Sequence, residues 1–163
     1  MTLSGRFAAL AFAALLAACS QTQPEEAAPP TDASAGATLD PASVAFFQSR
    51  IGDKVFFATD SALLDASAQA TLRAQAGWLI ANPARSAVVE GHADERGTRD
   101  YNLALGARRA SAVRNFLVGE GVPAGRLRSV TFGKERPESL CSNESCWSLN
   151  RRGVTVMADG PTS

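Results

Sequence analysis

The chain has a single histidine, His92, and this scarcity excludes the zinc sites that need several histidines. No serine or cysteine lies in a motif typical of a hydrolase nucleophile. Neither sign of charge is in excess, because 16 lysines and arginines balance 16 aspartates and glutamates. A neutral chain without a basic run does not indicate binding to nucleic acid or to anionic lipid. We therefore expect no metal, no cofactor, and local recognition of a partner.

Long apolar runs are also missing, except over residues 7–18. That run is too short to span a bilayer, which takes roughly 20 apolar residues, and it follows a short segment with one positive charge. The pattern predicts a secretory signal peptide over residues 1–18. The sequence Leu-Ala-Ala-Cys at residues 16–19 resembles the lipobox of bacterial lipoproteins. We predict that Cys19 is lipidated, for example with palmitate; an ordinary signal peptide with an incidental Cys19 is the alternative.

A predicted disordered tether follows over residues 19–39, because this segment is rich in proline, alanine and acidic side chains and cannot bury a core. A flexible segment of about 20 residues averages roughly 25 Å from end to end. Serine, not aspartate, follows Cys19, and by resemblance to bacterial lipoproteins this favours sorting to the outer membrane. The sequence thus predicts a lipid-anchored protein of the outer membrane, facing the periplasm, with a folded domain over residues 40–163.

The folded domain shows alternating helical and strand patterns. Asp65 is a predicted N-cap, and the pair Asn82-Pro83 predicts the end of that helix. The predicted helices cover about residues 41–51, 66–81, 101–119 and 145–150, and the predicted strands cover 54–57, 86–91, 127–132 and 153–158. Strands joined by helices of this length indicate parallel or mixed pairing under one helical layer. We expect an α/β fold, specifically an α+β sandwich with a mixed four-stranded sheet and helices packed on it.

Two cysteines, Cys141 and Cys146, close a six-residue segment near the C-terminus. A secreted chain enters an oxidising compartment, so we predict a disulfide between them. A metal site is the weaker alternative, because no histidine lies nearby. A redox role is disfavoured because the Cys-x-x-Cys spacing is absent.

One arginine lies where the apolar pattern predicts core. In the helix predicted over residues 101–119, Arg109 falls on the apolar stripe, four residues after Leu105 and four before Val113. A guanidinium keeps its proton in proteins, so a half-buried arginine needs an acidic partner. The residues alone leave two candidates open: Asp94 in the preceding loop, or an anion that binds from outside.

Four motifs carry a resemblance to a known family. The sequence Gly-His-Ala-Asp-Glu-Arg-Gly-Thr at 91–98 and the sequence Tyr-Asn-Leu-Ala-Leu-Gly-Ala-Arg-Arg-Ala at 101–110 resemble the OmpA-like C-terminal domain family, especially its peptidoglycan-associated lipoproteins. The segments 132–137 and 150–154 continue the resemblance in register, which covers roughly residues 54–157. The predicted elements follow the order helix, then β-α-β-α-β-(α)-β. The resemblance implies a domain that binds the diaminopimelate of the peptidoglycan stem peptide without cleaving it.

The resemblance also implies which residues bind the ligand. Asp94 and Arg109 would hold the amine and the carboxylate at the end of meso-diaminopimelate. The other motif positions are Asn102, Gly97 and Leu105. Arg151 and Arg152 open the last predicted strand, and we expect Arg152 to reach the ligand carboxylate and its neighbour to face water. One departure concerns Ala58, which stands where the family segment usually has aspartate.

The neighbouring residues have simpler interpretations. His92 shares a strand face with Glu90, and we expect it to be packed or hydrogen-bonded. Glu95 and Arg96 are expected to form a solvated rim.

The resemblance implies a tether between outer membrane and cell wall. Its implied partners are peptidoglycan and the periplasmic and inner-membrane proteins of the Tol system, with a role in envelope integrity and cell division. Two other functions stay open. One is a cell-wall hydrolase that uses Asp94, Glu95 or His92 as acid and base; the other is a structural lipoprotein with a protein ligand.

Overall fold

The computed structural model describes residues 39–158 of the 163-residue chain. The predicted signal peptide, Cys19 and the predicted tether up to residue 38 lie outside the described residues, as do residues 159–163. Within the described range, no helix is both long and apolar enough to cross a membrane.

Residues 39–158 form four strands and four α-helices in the predicted order. The helices are α1 (Val44–Phe46, continued by a π-helical turn over Phe47–Ile51), α2 (Ala66–Ala81), α3 (Arg99–Gly119) and α4 (Glu144–Asn150). The strands are β1 (Lys54–Phe56), β2 (Ser86–His92), β3 (Leu127–Gly133) and β4 (Arg152–Ala158), and a 3-10 turn over Ala124–Arg126 precedes β3. The predicted boundaries agree with these within about three residues.

Side-chain caps account for several of these boundaries. Asp65 accepts a hydrogen bond from the Ala68 N–H, as an N-cap does, so α2 begins where the sequence predicts. The helix α3 begins two residues earlier than predicted because Thr98 caps it. The helix α1 is capped by Ser43, and the Asp40 carboxylate accepts from the Ala42 N–H ahead of the helix.

The sheet is mixed, with the strand order β1-β4-β2-β3. The strands β2 and β3 run parallel, and β4 lies antiparallel between β1 and β2. The helix α3 packs on β2, β3 and β4, and α2 packs on α3 and β1. The buried apolar side chains between helices and sheet include Phe47, Val55, Leu72, Leu79, Val89, Val113 and Leu117. The predicted α+β fold with a mixed four-stranded sheet is confirmed.

Two glycines, Gly91 on β2 and Gly106 on α3, lie in close backbone contact. A Cβ built on Gly91 would lie 1.8 Å from the carbonyl oxygen of Gly106 and 2.7 Å from its carbonyl carbon. Only a residue without a Cβ permits two backbones to approach so closely. This contact brings the next turn of α3 against the end of β2, which sets the position of Arg109.

A disulfide joins Cys141 and Cys146, as the sequence predicts. Cys146 is buried within α4, and its sulfur lies 2.9 Å from the Ser139 hydroxyl oxygen. The bridge therefore fixes the segment that leads into α4 and β4.

We predict that reducing this disulfide lowers the free energy of unfolding by about 2 kcal/mol, because the short loop removes little entropy from the unfolded chain. Urea denaturation with and without a thiol reductant measures the difference. The double variant Cys141→Ser with Cys146→Ser serves as the control and should not respond to the reductant. An unchanged midpoint for the native chain would contradict the prediction.

Candidate functional site

A cavity of about 230 Å³ lies where the loops after β1 and β2 meet the first turns of α3. Two aspartates and two arginines line it, so its formal charges balance. The lining residues are Thr59, Asp60, Asp94, Arg96, Gly97, Tyr101, Asn102, Leu105 and Arg109. Five of the six residues predicted to bind a ligand are therefore brought together in one cavity: Asp94, Gly97, Asn102, Leu105 and Arg109.

Arg109 is fully buried and is held by backbone oxygens. Its Nε, Nη1 and Nη2 atoms donate to the carbonyl oxygens of Ser61 at 2.8 Å, His92 at 2.8 Å and Ala58 at 3.1 Å. These bonds use three of the five guanidinium donors. Burial lowers the pKa of Arg109 to about 10, against the opposing charge of Asp94, so the side chain stays cationic at neutral pH. Arg109 thus ties the loop after β1 to the end of β2.

Asp94 is also buried, but its partners are other arginines. Its Oδ2 lies 2.6 Å from Nη2 of Arg96 and 3.3 Å from Nη1 of Arg151. The Arg96 N–H donates to Oδ1 at 3.1 Å. Burial raises the pKa of Asp94, but the hydrogen bonds from Arg96 and Arg151 outweigh it and lower that pKa below 3.8. The carboxylate is therefore ionised at neutral pH.

No ion pair joins Asp94 to Arg109. Within residues 39–158, no carboxylate oxygen lies within 4.0 Å of the Arg109 guanidinium nitrogens. The sequence left two partners open for Arg109, Asp94 and an external anion, and Asp94 is not in contact with it. A buried cation without a counter-ion costs free energy, and the cavity leaves room for an anion beside it.

The loop between β2 and α3 is shaped by Gly97 and Asn102. Gly97 has a φ of +89°, which L side chains rarely adopt. Asn102 is 1% exposed, and its amide donates to the Arg96 carbonyl oxygen at 2.8 Å. Lys134 also contacts this loop and donates to the Gly97 carbonyl oxygen at 2.7 Å. These bonds fix the loop backbone that presents Asp94.

Tyr101 and Asp60 close the outer wall of the cavity. The Tyr101 hydroxyl donates to the Asp60 carboxylate, and this contact raises the pKa of Tyr101. Asp60 has a φ of +53°, a left-handed conformation that non-glycine residues adopt uncommonly. Leu105 is buried and supplies an apolar wall.

Arg152, the sixth predicted residue, does not line the cavity. Its Nε lies 3.3 Å from the Glu138 carboxylate, and its Nη2 donates to the Arg136 carbonyl oxygen. Its neighbour Arg151 does not face water as expected: it is buried and contacts Asp94 and Glu144. Arg151 lies in the bend just before β4, whereas Arg152 is the first residue of β4, and both side chains are buried with different partners.

His92 is packed, as the sequence predicts. It is 1% exposed, and its Nε2 lies 3.3 Å from Glu90. Burial, then the charges of Arg152 and Arg136, lower the pKa of His92 to about 4, so the ring is neutral at pH 7. A general acid in glycoside hydrolysis needs a raised carboxyl pKa, and that of Asp94 is lowered. Residues 39–158 contain no group of three or more His, Cys, Asp or Glu that could hold a metal.

Two functional neighbours of Asp94 were missed by the sequence reasoning. Arg96, predicted as a solvated rim residue, forms a bidentate contact with Asp94, and Arg151 reaches Asp94 from the bend between α4 and β4. The first had a local signal, since an aspartate side chain commonly accepts from the backbone N–H two residues later. The second had none, because 57 residues separate Arg151 from Asp94.

Comparison with known proteins agrees with this geometry. The OmpA family model matches residues 56–151. A protein of Agrobacterium fabrum named peptidoglycan-associated lipoprotein is 56% identical over 117 residues, which cover 72% of this chain and 66% of the relative. This chain thus spans just under two thirds of that relative. A protein of Mesorhizobium japonicum with the same name is 50% identical over 151 residues, covering 93% of this chain and 89% of that relative.

A solved structure shows the same fold. The crystal structure of the peptidoglycan-associated lipoprotein from Burkholderia pseudomallei superposes with a TM-score of 0.68 and 37% identity. The match covers 73% of this chain and 100% of that one. Proteins of this family are not enzymes, in keeping with the lowered pKa values of Asp94 and His92. The motifs, the fold and the relatives agree, and the chain belongs to the OmpA family and, within it, to the peptidoglycan-associated lipoproteins.

Proposed function

We propose that this protein is an outer-membrane lipoprotein that binds peptidoglycan non-covalently and tethers the outer membrane to the cell wall. Residues 1–18 act as the signal peptide, Cys19 carries the lipid, and residues 19–39 form the tether. The domain over residues 40–163 faces the periplasm and binds the wall. The names of the relatives and the lipobox-like sequence before Cys19 support this proposal.

The ligand is the diaminopimelate of the stem peptide. Its side chain ends in an ammonium and a carboxylate on one carbon, so the receptor needs an acid and a base that face one cavity. Asp94 takes the ammonium and Arg109 takes the carboxylate, for which a guanidinium is suited. The observation that carries the proposal is Arg109 itself: a buried cation that lines the cavity with no carboxylate in contact within residues 39–158.

The remaining lining residues have supporting roles. Gly97 and Asn102 hold the loop that presents Asp94, and Leu105 packs against the aliphatic part of the ligand. Arg152 has no part in this site. The side chain of Ala58 makes no polar contact with a ligand, whereas its carbonyl oxygen keeps Arg109 in place.

Family membership also motivates a wider role. We include the Tol-system proteins of the periplasm and inner membrane as partners, with a function in envelope integrity and cell division. A rim of the exposed Glu95 and Arg96 with the half-buried Trp147 lies beside the cavity. A protein partner that covers this rim would limit access of peptidoglycan to the site.

Co-sedimentation with purified peptidoglycan tests the function. We expect the full chain, solubilised in detergent, to sediment with walls that contain diaminopimelate and to remain in solution with walls that contain lysine. Lysine lacks the carboxylate that pairs with Arg109. The supernatant, assayed for soluble muropeptides, should contain none. Equal retention on both walls, or release of fragments, would contradict the proposal.

A further inference from the structure

The carboxylate of Asp94 has no free acceptor position. Its Oδ1 accepts from the backbone N–H of Arg96 at 3.1 Å and from its Nε at 3.3 Å. Its Oδ2 accepts from Nη2 of Arg96 at 2.6 Å and from Nη1 of Arg151 at 3.3 Å. A carboxylate offers about four acceptor sites, and all four are used. An incoming ammonium must therefore displace one of these donors.

Arg96 is the donor that can leave. The Arg151 side chain is 6% exposed and also bonds to the Phe57 carbonyl oxygen and to Glu144. The Arg96 side chain is 39% exposed. It also has other contacts at the rim, where its guanidinium carbon lies 4.2 Å from the centre of the Trp147 ring and its Nη2 is 3.4 Å from the Thr59 hydroxyl.

The side chain of Arg96 can move without the loop. The backbone around it is held by Asn102, which donates to the Arg96 carbonyl oxygen, and by Lys134, which donates to the carbonyl oxygens of Glu95 and Gly97. None of these bonds involves the guanidinium. A displaced Arg96 therefore stays anchored beside the cavity with its charge intact.

We propose that Arg96 is a specificity-determining residue, an internal cation that occupies the ammonium position on Asp94 until a zwitterionic ligand replaces it. The proposal rests on the proposed function. A ligand with an ammonium alone replaces the ion pair between Arg96 and Asp94 by its own pair with Asp94, and it leaves the Arg96 guanidinium without a carboxylate partner. A ligand with a carboxylate beside its ammonium gives the displaced guanidinium a new partner, in addition to Arg109. Arg96 thus rejects lysine-type ends and accepts diaminopimelate-type ends.

The test compares two stem peptides, one with meso-diaminopimelate and one with lysine at the same position, titrated into the full chain by calorimetry. We expect the native chain to prefer the diaminopimelate peptide. In Arg96→Ala the lysine peptide should bind more tightly, because the two acceptor positions of Asp94 that the Arg96 guanidinium occupied are then free. The ratio of the two dissociation constants should narrow by roughly tenfold, the effect of one charge-assisted contact.

Two further variants make the result specific. Arg96→Lys keeps the charge without the bidentate contact and should restore part of the preference. Arg99→Ala removes a cation of the same loop-helix region whose side chain is 66% exposed and pairs with Glu135, and it should leave the ratio unchanged. Circular dichroism verifies that each variant is folded.

The possible failures are distinguishable. A native chain without preference for diaminopimelate overturns the proposed function and this inference with it. If the native chain prefers diaminopimelate, and Arg96→Ala and Arg96→Lys both keep the ratio of dissociation constants within twofold, the inference about Arg96 is overturned but the proposed function is not. Arg109 then accounts for all the discrimination.

Discussion

Replacing Asp94 by asparagine should weaken binding of the diaminopimelate stem peptide by about 100-fold, since truncating one member of a buried charge pair costs roughly 2–5 kcal/mol. The amide keeps the shape of the side chain, and its oxygen still accepts from the Arg96 N–H. The positive charges of Arg96, Arg109 and Arg151 then face the ligand ammonium without an acid between them. Calorimetric titration of the full chain measures the loss.

The exposed Asp100 provides the control. It lies in the first turn of α3, outside the cavity, so Asp100→Asn makes the same charge change without touching the site. We expect its affinity for the peptide to match the native value. Native affinity in Asp94→Asn would contradict the assignment of the ammonium to Asp94.

The pH dependence of stability provides a second check on Asp94→Asn. The pKa of Asp94 is lower in the folded chain than its ordinary 3.8, because hydrogen bonds from Arg96 and Arg151 outweigh burial. A lowered pKa means that the ionised carboxylate stabilises the fold above pH 3.8, and that this contribution is lost as pH falls through the folded value. The native chain should therefore have a higher unfolding midpoint than the variant at pH 6, and this difference should shrink as the pH falls below 3.8.

Alanine at Gly91 should destabilise the fold by more than about 3 kcal/mol, the upper part of the range for overpacked sites. The added Cβ would lie 1.8 Å from the Gly106 carbonyl oxygen, a backbone atom that no rotamer change can move aside. The helix α3 must then separate from β2, and the bond from Arg109 to the His92 carbonyl oxygen is lost with it. Urea denaturation measures the change, and peptide binding should fall in parallel.

Gly77 provides the matched control, since it lies in α2, is exposed, and has nothing within 4 Å of an added Cβ. Gly77→Ala should raise the free energy of unfolding by about 0.5–1 kcal/mol, the ordinary helix preference for alanine. If Gly91→Ala is as stable as the native chain, the prediction is wrong, because α3 can then move away from β2 without lowering the free energy of unfolding.

Arg109 illustrates how a residue can be identified correctly while its contacts are not. Its place on an apolar stripe indicated a buried cation, and it is buried. We expect Arg109→Ala to affect folding as well as binding. Removing its guanidinium leaves three carbonyl oxygens without their donor, two of them in the loop after β1. Such a loss destabilises the domain, so Asp94 is the residue at which binding and folding are best separated.

The sequence by itself determined the element order, the start of α2 at its Asp65 cap, the family and five residues of the cavity, because caps, turns and motifs act over a few neighbouring positions. Tertiary structure alone decided the partners of Asp94 and Arg109 that are distant along the chain. Asp94 contacts Arg151 across 57 positions, and Arg109 bonds to carbonyls 48 and 51 residues away. The contacts of Arg109 depend on how closely α3 approaches β2. That approach requires glycine at both Gly91 and Gly106, and the sequence does not indicate that these two residues meet.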